Sequence, residues 1–558
     1  MKNFFKENIW LWVIIILSGL VLWPLFVKGY FPHQDDLQVM RIFEMRKCFA
    51  DLQIPCRWVA DMGFGNGFPL FNYYGVLPYY LGAIFSFILS YIISAKALFF
   101  VPLLLGGISM YFLGKELFGK KAGFVAGILF LFAPYRALDT YVRGAIAESF
   151  ALSIIPLVFY FSIRLIKYRK PVDFIGTSLS LFFFLTSHNI MTILFIPVFF
   201  VCLILILYLE NWKNFKFLFL SLLFGFGLSA FFIIPAYFEK NLVQTNTLTI
   251  FALDFRNHFI SVARLFIDRS WGYVGATKSL ESSMSFQIGW PHWWLVILSV
   301  VFIIIVVIKS RKTGNLKSFL LPAFLVAVFC LSVFMTHNKS TFIWEKIGIL
   351  SYVQFPWRFL AVSIFSASLL GGYCISVFKR RYVNILAALI VVLTVVLNWN
   401  YFRPKEFDLN VTDATKLSGE SWLLQQSGSV TDYLPITAAV PVEPAPGHPL
   451  VISGISEVSN FINKSNKFSF SAIVTKESTI DVPVFDFPDW EVKVNGKIYN
   501  HNPGVIGRIE IKLPPGNYSV VGSFKNTPIR AFADSLTIMS VVLFGIYIIY
   551  GKNRKIFK

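Results

Sequence analysis

The stretch HQDDLQVMRIFEMRKCFADLQIPCRWVADMGFGNGFPLFNYY, residues 33–74, lies between two strongly apolar segments. It carries adjacent carboxylates at Asp35 and Asp36, several basic groups, and a tail rich in Gly, Pro and aromatic residues. Most of the remaining chain is compatible with lipid, so a polar segment of this length needs a specific role. We interpret residues 29–75 as a first outer loop that covers a functional site at the membrane surface.

The composition indicates a membrane protein. Of 558 residues, 56% are hydrophobic and only 14% are charged, which is unusual for a soluble protein. The net charge of +20 comes mostly from short basic clusters between apolar runs, as the positive-inside rule predicts. We therefore expect a lipid bilayer and no nucleic acid as partner. Among five cysteines, Cys48 and Cys56 could pair in an oxidising compartment, or both could stay free thiols.

Apolar runs of about spanning length recur along the chain and predict an all-α bundle of about 12–13 helices, made of a transmembrane domain in residues 1–399 and one final span. The first run is interpreted as a retained span, because it is too long for a signal core. With the amino terminus inside and the first loop outside, a cytoplasmic basic cluster at Lys115 requires that the runs 76–94 and 97–113 together cross the membrane only once. The predicted total is then twelve crossings. The runs are about 9–27, 76–94, 97–113, 122–134, 149–163, 174–187, 190–208, 217–237, 291–308, 319–335, 359–377, 384–399 and 531–550.

Residues 400–530 change in character, becoming more polar and alternating in hydrophobicity. This pattern predicts an extracytoplasmic β-sandwich, with a turn at Asn495-Gly496. Residues 531–558 are predicted to form a last transmembrane helix and a basic cytoplasmic tail. The predicted strands are Phe468–Val474, Thr479–Phe485, Trp490–Val494, Arg508–Leu513 and Tyr518–Phe524.

The acids of the first loop begin a segment with helical spacing. Gln38 and Arg41 fall on one side of it, and His33 precedes it. Asp35-x-x-Gln38 also fits an ordinary capping box, which would make these residues structural. A carboxylate that can take a proton, next to a cation that can hold a phosphate, favours Asp35 and Asp36 as catalytic candidates.

Farther along the loop, Arg57 and Trp58 offer a phosphate-binding guanidinium beside a ring that can stack on a sugar. Asp61 completes this group of binding candidates. The aromatic residues that follow, such as Phe71 and Tyr74, could instead form an interfacial belt.

A second group of polar residues lies in the short outer loop 135–148. Glu148 enters an apolar run, and a carboxylate at membrane depth is a functional candidate whose expected partner is Arg143 or Arg136. Tyr135 stands at the start of the same loop. The alternative is a simple helical ion pair between Asp139 and Arg143.

Two further candidates stand at predicted outer helix ends. His188 lies in a tight hairpin, where it is either structural or a catalytic or metal-binding residue. Arg358 could hold a phosphate or could anchor its helix at the interface. No cofactor is certain, but Asp35, Asp36, Glu148 and His188 could together hold a divalent cation such as Mg²⁺ or Mn²⁺.

Several motifs carry a family resemblance. Arg57-Trp58, Gly63-Phe64-Gly65 and the run 69–74 before an apolar helix resemble bacterial polytopic proteins labelled "6-pyruvoyl-tetrahydropterin synthase-related, membrane domain". The architecture is similar to the GT-C superfamily of glycosyltransferases. The segments 487–490, 494–497 and 513–518 resemble the outer β domain of bacterial membrane proteins that glycosylate teichoic acids.

The resemblance implies transfer of a sugar from a polyprenyl-phosphate donor to an envelope glycan or lipid. It also implies that Asp35 or Asp36 is the base or the acid that orients the acceptor. The alternatives are a transporter or flippase of lipid-linked saccharides, or a non-catalytic envelope scaffold that binds polysaccharide. Charges gathered at the outer rim and the absence of matched halves in the sequence favour the enzyme.

Overall fold

The computed structural model describes residues 8–275, 284–313, 316–379 and 381–550. The chain is mainly helical and ends in an antiparallel β domain followed by one helix, which confirms the predicted fold class. The predicted basic tail, residues 551–558, lies outside the described residues. The α-helices are α1 Ile9–Leu22, α2 Gln38–Ala50, α3 Leu70–Tyr73, α4 Leu77–Ser86, α5 Tyr91–Phe118, α6 Lys120–Leu131, α7 Pro134–Ala137, α8 Ile146–Tyr168, α9 Pro171–Ser187, α10 Asn189–Leu209, α11 Phe215–Phe238, α12 Val262–Phe266, α13 Trp290–Thr313, α14 Leu320–Met335, α15 Thr341–Lys346, α16 Leu360–Val377, α17 Val383–Asn398, α18 Asp413–Lys416, α19 Gly419–Ser427 and α20 Pro528–Tyr550.

Within the described ranges, ten helices are long and apolar enough to cross a membrane. The bent pair Lys120–Leu131 and Pro134–Arg143, with a 45° break, would make eleven. Adding α9, whose seventeen residues lie at the lower end of the spanning range of about 17–25, gives the predicted total of twelve crossings. Helix α4 has only ten residues and is shorter than a hydrocarbon core of about 30 Å at about 1.5 Å per residue. Only the second of the runs 76–94 and 97–113 therefore lies in a helix of spanning length, α5, as the prediction of one crossing for this pair requires.

The predicted amphipathic helix of the first loop exists as α2, but it does not lie free on the membrane surface. Its buried residues include polar and charged ones on several sides, among them Gln38, Arg41 and Glu44. The helix begins after Leu37 without a side-chain cap, so the capping-box interpretation of Asp35 is wrong. The first loop is thus packed into the protein on most of its surface.

The β domain is a half-barrel made of one antiparallel sheet, continuous through the long strand β2, and not two separate facing sheets. The order of hydrogen-bonded neighbours across the sheet is β4-β3-β7-β2-β6-β5, and β1 pairs with β2. Two predicted strands are halves of β2, and the Asn495-Gly496 turn is confirmed because both residues have positive φ between paired strands. The strands are β1 Leu450–Asn463, β2 Lys467–Phe485, β3 Trp490–Val494, β4 Lys497–Tyr499, β5 Asn502–Pro503, β6 Arg508–Leu513 and β7 Gly516–Phe524.

The β domain rests on the second half of the first loop. Trp58, 1% exposed, lies against Trp490 and Phe524 with ring centroids 5.5 and 5.3 Å apart. Arg508 donates from Nε to Oδ1 of Asn66 at 2.6 Å. Residues 402–449, between the bundle and the sheet, contain no strand and instead carry α18 and α19. This linker packs on the first half of the loop and brings the chain past the site.

Candidate active site

A cavity of about 600 Å³ lies where the first loop, the ends of several helices and the linker meet. Asp35, Arg143, Glu148, His188 and Arg358 all line it. These residues come from distant parts of the sequence, so their convergence is a property of the fold. Arg41 also lines the cavity.

One wall of the cavity is an ion cluster built around Glu148. This carboxylate, 1% exposed, accepts hydrogen bonds from Nη1 of Arg143 at 3.0 Å and from Nε of Arg358 at 3.3 Å. Tyr135 donates its hydroxyl to the same carboxylate, and Arg143 also pairs with Asp139. Among the described residues, no hydrogen bond uses Nη2 of either arginine. Two guanidinium groups therefore keep a donor for a further anion.

The local backbone explains why this cluster forms. Gly144 has φ +70° and ends the π-helical turn Leu138–Arg143, so that α8 can start at Ile146 with Glu148 in its first turn. A Cβ at Gly144 would lie 2.7 Å from the His33 ring, so the loop can pack only against a glycine here. Asp35 N also donates to Arg143 O at 2.9 Å, which joins the first loop directly to the cluster.

The first loop adds Asp35 to the cavity lining. Its carboxylate accepts from Nη1 of Arg41 at 2.8 Å, and Arg41 lies over the Tyr74 ring at 4.5 Å. Gln38 donates to Gly144 O at 2.7 Å and so positions the start of α2. The ion pair with Arg41 thereby holds Asp35 at the cavity surface, and the hydrogen bond of Gln38 fixes the start of the helix that carries Arg41.

Asp36 points away from its neighbour. It pairs with Nζ of Lys416 at 2.5 Å and lies 3.8 Å from Nδ1 of His33, and it does not line the cavity. His33 is buried against Tyr30 and Gly144, and burial lowers its pKa while Asp36 acts in the opposite direction. The two adjacent acids therefore have different surroundings, and only Asp35 faces the cavity.

The structure does not bring Arg57, Trp58 or Asp61 to the cavity. Arg57 pairs with Asp534 at 2.6 Å at the start of α20, and Trp58 is in the core of the β domain. Asp61 pairs with Lys47 at 2.6 Å. Arg57 and Trp58 thus attach the first loop to the C-terminal part of the chain, whereas the pair of Asp61 with Lys47 lies within the loop.

His188 caps a helix at the cavity. Its Nδ1 accepts from the backbone N–H of Met191 at 3.2 Å, at the start of α10. Burial lowers the pKa of His188 to about 3, and nearby Glu148 only partly opposes this. The imidazole is therefore neutral, and the capping bond leaves the proton on Nε2 as a donor. This arrangement suits a hydrogen bond to a ligand oxygen.

Metal binding has no preformed set of ligands in the described ranges, where no group of three or more His, Cys, Asp or Glu could hold an ion. Of the four candidate ligands, Asp35 pairs with Arg41, Asp36 with Lys416, and Glu148 with two arginines. Nδ1 of His188 is used as a helix cap. The arrangement favours direct binding of an anion by guanidinium groups.

One acidic side chain in the cavity was missed by sequence reasoning. Asp432 lies in the linker after α19 and lines the cavity together with Ser429 and Tyr433. The sequence Ser-Gly-Ser before it signals only a turn, and nothing in the pattern indicates that this turn reaches a site formed by the first loop.

The fold and the cavity define the chain as a multi-pass membrane protein with a polar, charged site at the junction of its helical bundle and its linker. Residues 71–404, more than half of the chain, match the sequence model of a family described as "6-pyruvoyl-tetrahydropterin synthase related domain; membrane protein". The chain belongs to this family, which confirms the resemblance drawn from its motifs.

Other similarities are weaker. A Lactococcus lactis subsp. cremoris protein described as uncharacterized is 26% identical over 250 residues, 42% of this chain and 40% of the relative. ArnT from Cupriavidus metallidurans, solved with undecaprenyl phosphate, has a TM-score of 0.38 at 12% identity, over 69% of this chain and 63% of that one. The arabinofuranosyltransferase AftD from Mycobacteria has a TM-score of 0.41 at 13% identity, over 72% and 28%. The chain thus spans less than two thirds of each protein compared.

Proposed function

We propose that this protein is a membrane glycosyltransferase that transfers a sugar from a polyprenyl-phosphate donor to an envelope glycan or lipid. One observation carries the proposal: a single cavity is lined by two guanidinium groups with free donors and by the carboxylate of Asp35 from the first loop. Sugar transfer of this kind needs cations for the departing phosphate and a carboxylate for the attacking hydroxyl. Arg143 and Arg358 would hold the phosphate, and Asp35 would orient the acceptor.

The edge of the cavity supports a lipid-linked donor. Tyr237 and Ile349, 62% and 53% exposed, stand there beside Ile190 and Ile193 on α10. An isoprenoid chain can lie on these apolar side chains while its phosphate reaches the arginines inside. A water-soluble sugar nucleotide would gain nothing from such a lining.

The disulfide between Cys48 and Cys56 supports an extracytoplasmic position for the first loop and the β domain. Disulfides persist mainly in oxidising compartments outside the cytosol. Both cysteines are buried beside Trp58, and Trp58 is packed in the β domain, so loop and domain share one side of the membrane.

Binding of undecaprenyl phosphate to the protein in lipid nanodiscs tests the first part of the proposal. We expect Arg358→Gln to weaken binding by roughly 10–100-fold, since a hydrogen bond to a charged group contributes about 1.5–3 kcal/mol. The matched control is Arg256→Gln, because Arg256 is exposed and pairs with Glu345. Equal binding by both variants would contradict the proposal.

Transfer itself is measured with a panel of undecaprenyl-phosphate hexoses and pentoses and envelope extracts as acceptors. We expect cleavage of the sugar–phosphate bond and appearance of the sugar on an acceptor. Movement of the intact lipid-linked sugar across a vesicle bilayer without cleavage would instead support the transporter alternative.

A further inference from the structure

The cavity is lined by a third carboxylate besides Asp35 and Glu148, that of Asp432, which the linker brings close to Asp35. The linker is fixed at this point: Asp432 N donates to Ser429 O at 3.1 Å, and Tyr433 stacks on Tyr73 at 5.6 Å with ring planes 11° apart. Leu434, next in the chain, is fully buried. Asp432 is therefore held in position, and its place in the cavity is not the chance position of a loose loop.

Arg41 forms an ion pair with Asp35 but not with Asp432. Its Nη1 forms an ion pair with Asp35 at 2.8 Å, whereas its Nη2 donates to the Ser429 hydroxyl at 3.2 Å. The Ser429 hydroxyl in turn lowers the pKa of the Asp432 carboxyl. Across the described part of the chain, no Lys, Arg or His forms an ion pair with Asp432. The carboxylate of Asp35 is thus occupied by an ion pair with Arg41, whereas the carboxylate of Asp432 has no ion-pair partner among the described residues and can accept a proton.

From this geometry we infer that Asp432 is the proton acceptor of the transfer reaction and that Asp35 orients the acceptor hydroxyl. The inference rests on the proposed function. The hydroxyl oxygen forms a bond to the anomeric carbon, and its proton moves to a carboxylate oxygen of Asp432. The bond from the anomeric carbon to the phosphate oxygen breaks, and its electron pair leaves with the polyprenyl phosphate held by Arg143 and Arg358.

The surroundings of Asp432 suit this role. Burial raises its pKa to about 6, the charge of Asp35 adds to the rise, and Arg41 and the Ser429 hydroxyl oppose it. Burial and the charge of Asp432 raise the pKa of the neighbouring Tyr433, and Lys240 and the neutral His188 also line the cavity. A base whose pKa lies close to the working pH is ionised and still binds a proton well, which is the optimum for general base catalysis.

The test uses the full chain in nanodiscs and the variants Asp432→Asn and Asp432→Glu. The control is Asp489→Asn, an exposed residue of the β domain. Sugar release from the undecaprenyl-phosphate panel is followed from pH 5 to 9, and binding of undecaprenyl phosphate is measured in parallel. We expect Asp432→Asn to slow release roughly 100-fold or more while binding stays within twofold, and Asp432→Glu to recover part of the rate.

The pH profile separates a catalytic from a structural role. Wild-type release should fall as the pH drops through about 6, because Asp432 becomes protonated, and Asp432→Asn should lack this limb. A hydrophobic carbodiimide, which reacts with protonated carboxyl groups, should label Asp432 faster than Asp489 at pH 7. Release within threefold of wild type in Asp432→Asn, or equal labelling of the two residues, would overturn the inference.

These outcomes distinguish the inference from the function beneath it. If the wild type neither binds undecaprenyl phosphate nor releases sugar, the proposed function fails and the role of Asp432 falls with it. If binding and release are normal in both wild type and Asp432→Asn, only the role of Asp432 is lost.

Discussion

Removing the charge of Glu148 is a direct test of the cavity wall. Glu148 is 1% exposed and holds Arg143 and Arg358 at 3.0 and 3.3 Å. Glutamine has nearly the same shape and keeps one accepting oxygen, so Glu148→Gln changes charge much more than packing. In the variant, the two buried guanidinium groups share Asp139 as their only remaining carboxylate in the cluster.

The expected cost follows from that arrangement. Removing one partner of a buried ion pair costs about 3–5 kcal/mol, and because Asp139 still neutralises Arg143 we expect about 3 kcal/mol. An unfolding entropy of about 2.1 cal/mol/K per residue gives about 1.2 kcal/mol/K for the 558-residue chain. The melting temperature should therefore fall by about 2–3 °C.

The assay is thermal unfolding in nanodiscs with and without undecaprenyl phosphate. Glu345→Gln is the matched control, because that glutamate is half exposed and its pair with Arg256 should contribute less than about 1 kcal/mol. The lipid phosphate should stabilise Glu148→Gln more than the wild type, since it supplies the missing negative charge. Unfolding at the wild-type temperature, or a smaller lipid effect in the variant, would refute the reasoning.

Three further changes test other parts of the structure. Ser429→Ala removes a hydroxyl that lowers the pKa of Asp432, so the acidic limb of the rate profile should move to higher pH while the rate at pH 8 is kept; an unmoved limb would contradict this. Replacing Cys48 and Cys56 by serine opens a loop with a sequence separation of 8 and should lower stability by about 2.5 kcal/mol, measured by thermal unfolding, whereas reductant should leave the double variant unaffected. Gly75→Ala places a Cβ 1.9 Å from the Ser187 carbonyl oxygen beside His188 and should abolish lipid binding, in contrast to Gly19→Ala, which meets no atom within 4 Å.

Part of the site could be predicted because charge is rare in this chain. Glu148 enters an apolar helix, where an ionised group is too costly to leave alone, and Arg143 is the nearest cation in sequence. The structure has this pair at 3.0 Å. The same reasoning identified Arg358 at a helix end, and Arg358 contacts the same carboxylate although 210 residues separate the two.

Other assignments could not be made from sequence, because identical residue types serve packing and binding. Arg57 and Trp58 have the composition of a sugar site, but the partners that bury them, Asp534 and Trp490, lie more than four hundred residues later. Asp35 and Asp36 are adjacent and chemically equal, yet only the position of Arg41 and Lys416 decides which one faces the cavity. In both cases a deciding partner, Trp490 or Lys416, belongs to a distant part of the chain.

Asp432 shows why the whole chain is needed to form the site. The linker is held at the cavity by its own contacts with the first loop, such as Lys416 with Asp36, and the sheet that follows it is attached to the same loop through Trp58 and through Asn66 with Arg508. The loop also supplies Asp35 and Arg41, so the element that anchors the β domain also carries two of the charged groups that line the cavity. A change that loosens this attachment should therefore separate Asp432 from Arg41 before it disturbs Glu148 and its arginines, which are held within the helical bundle.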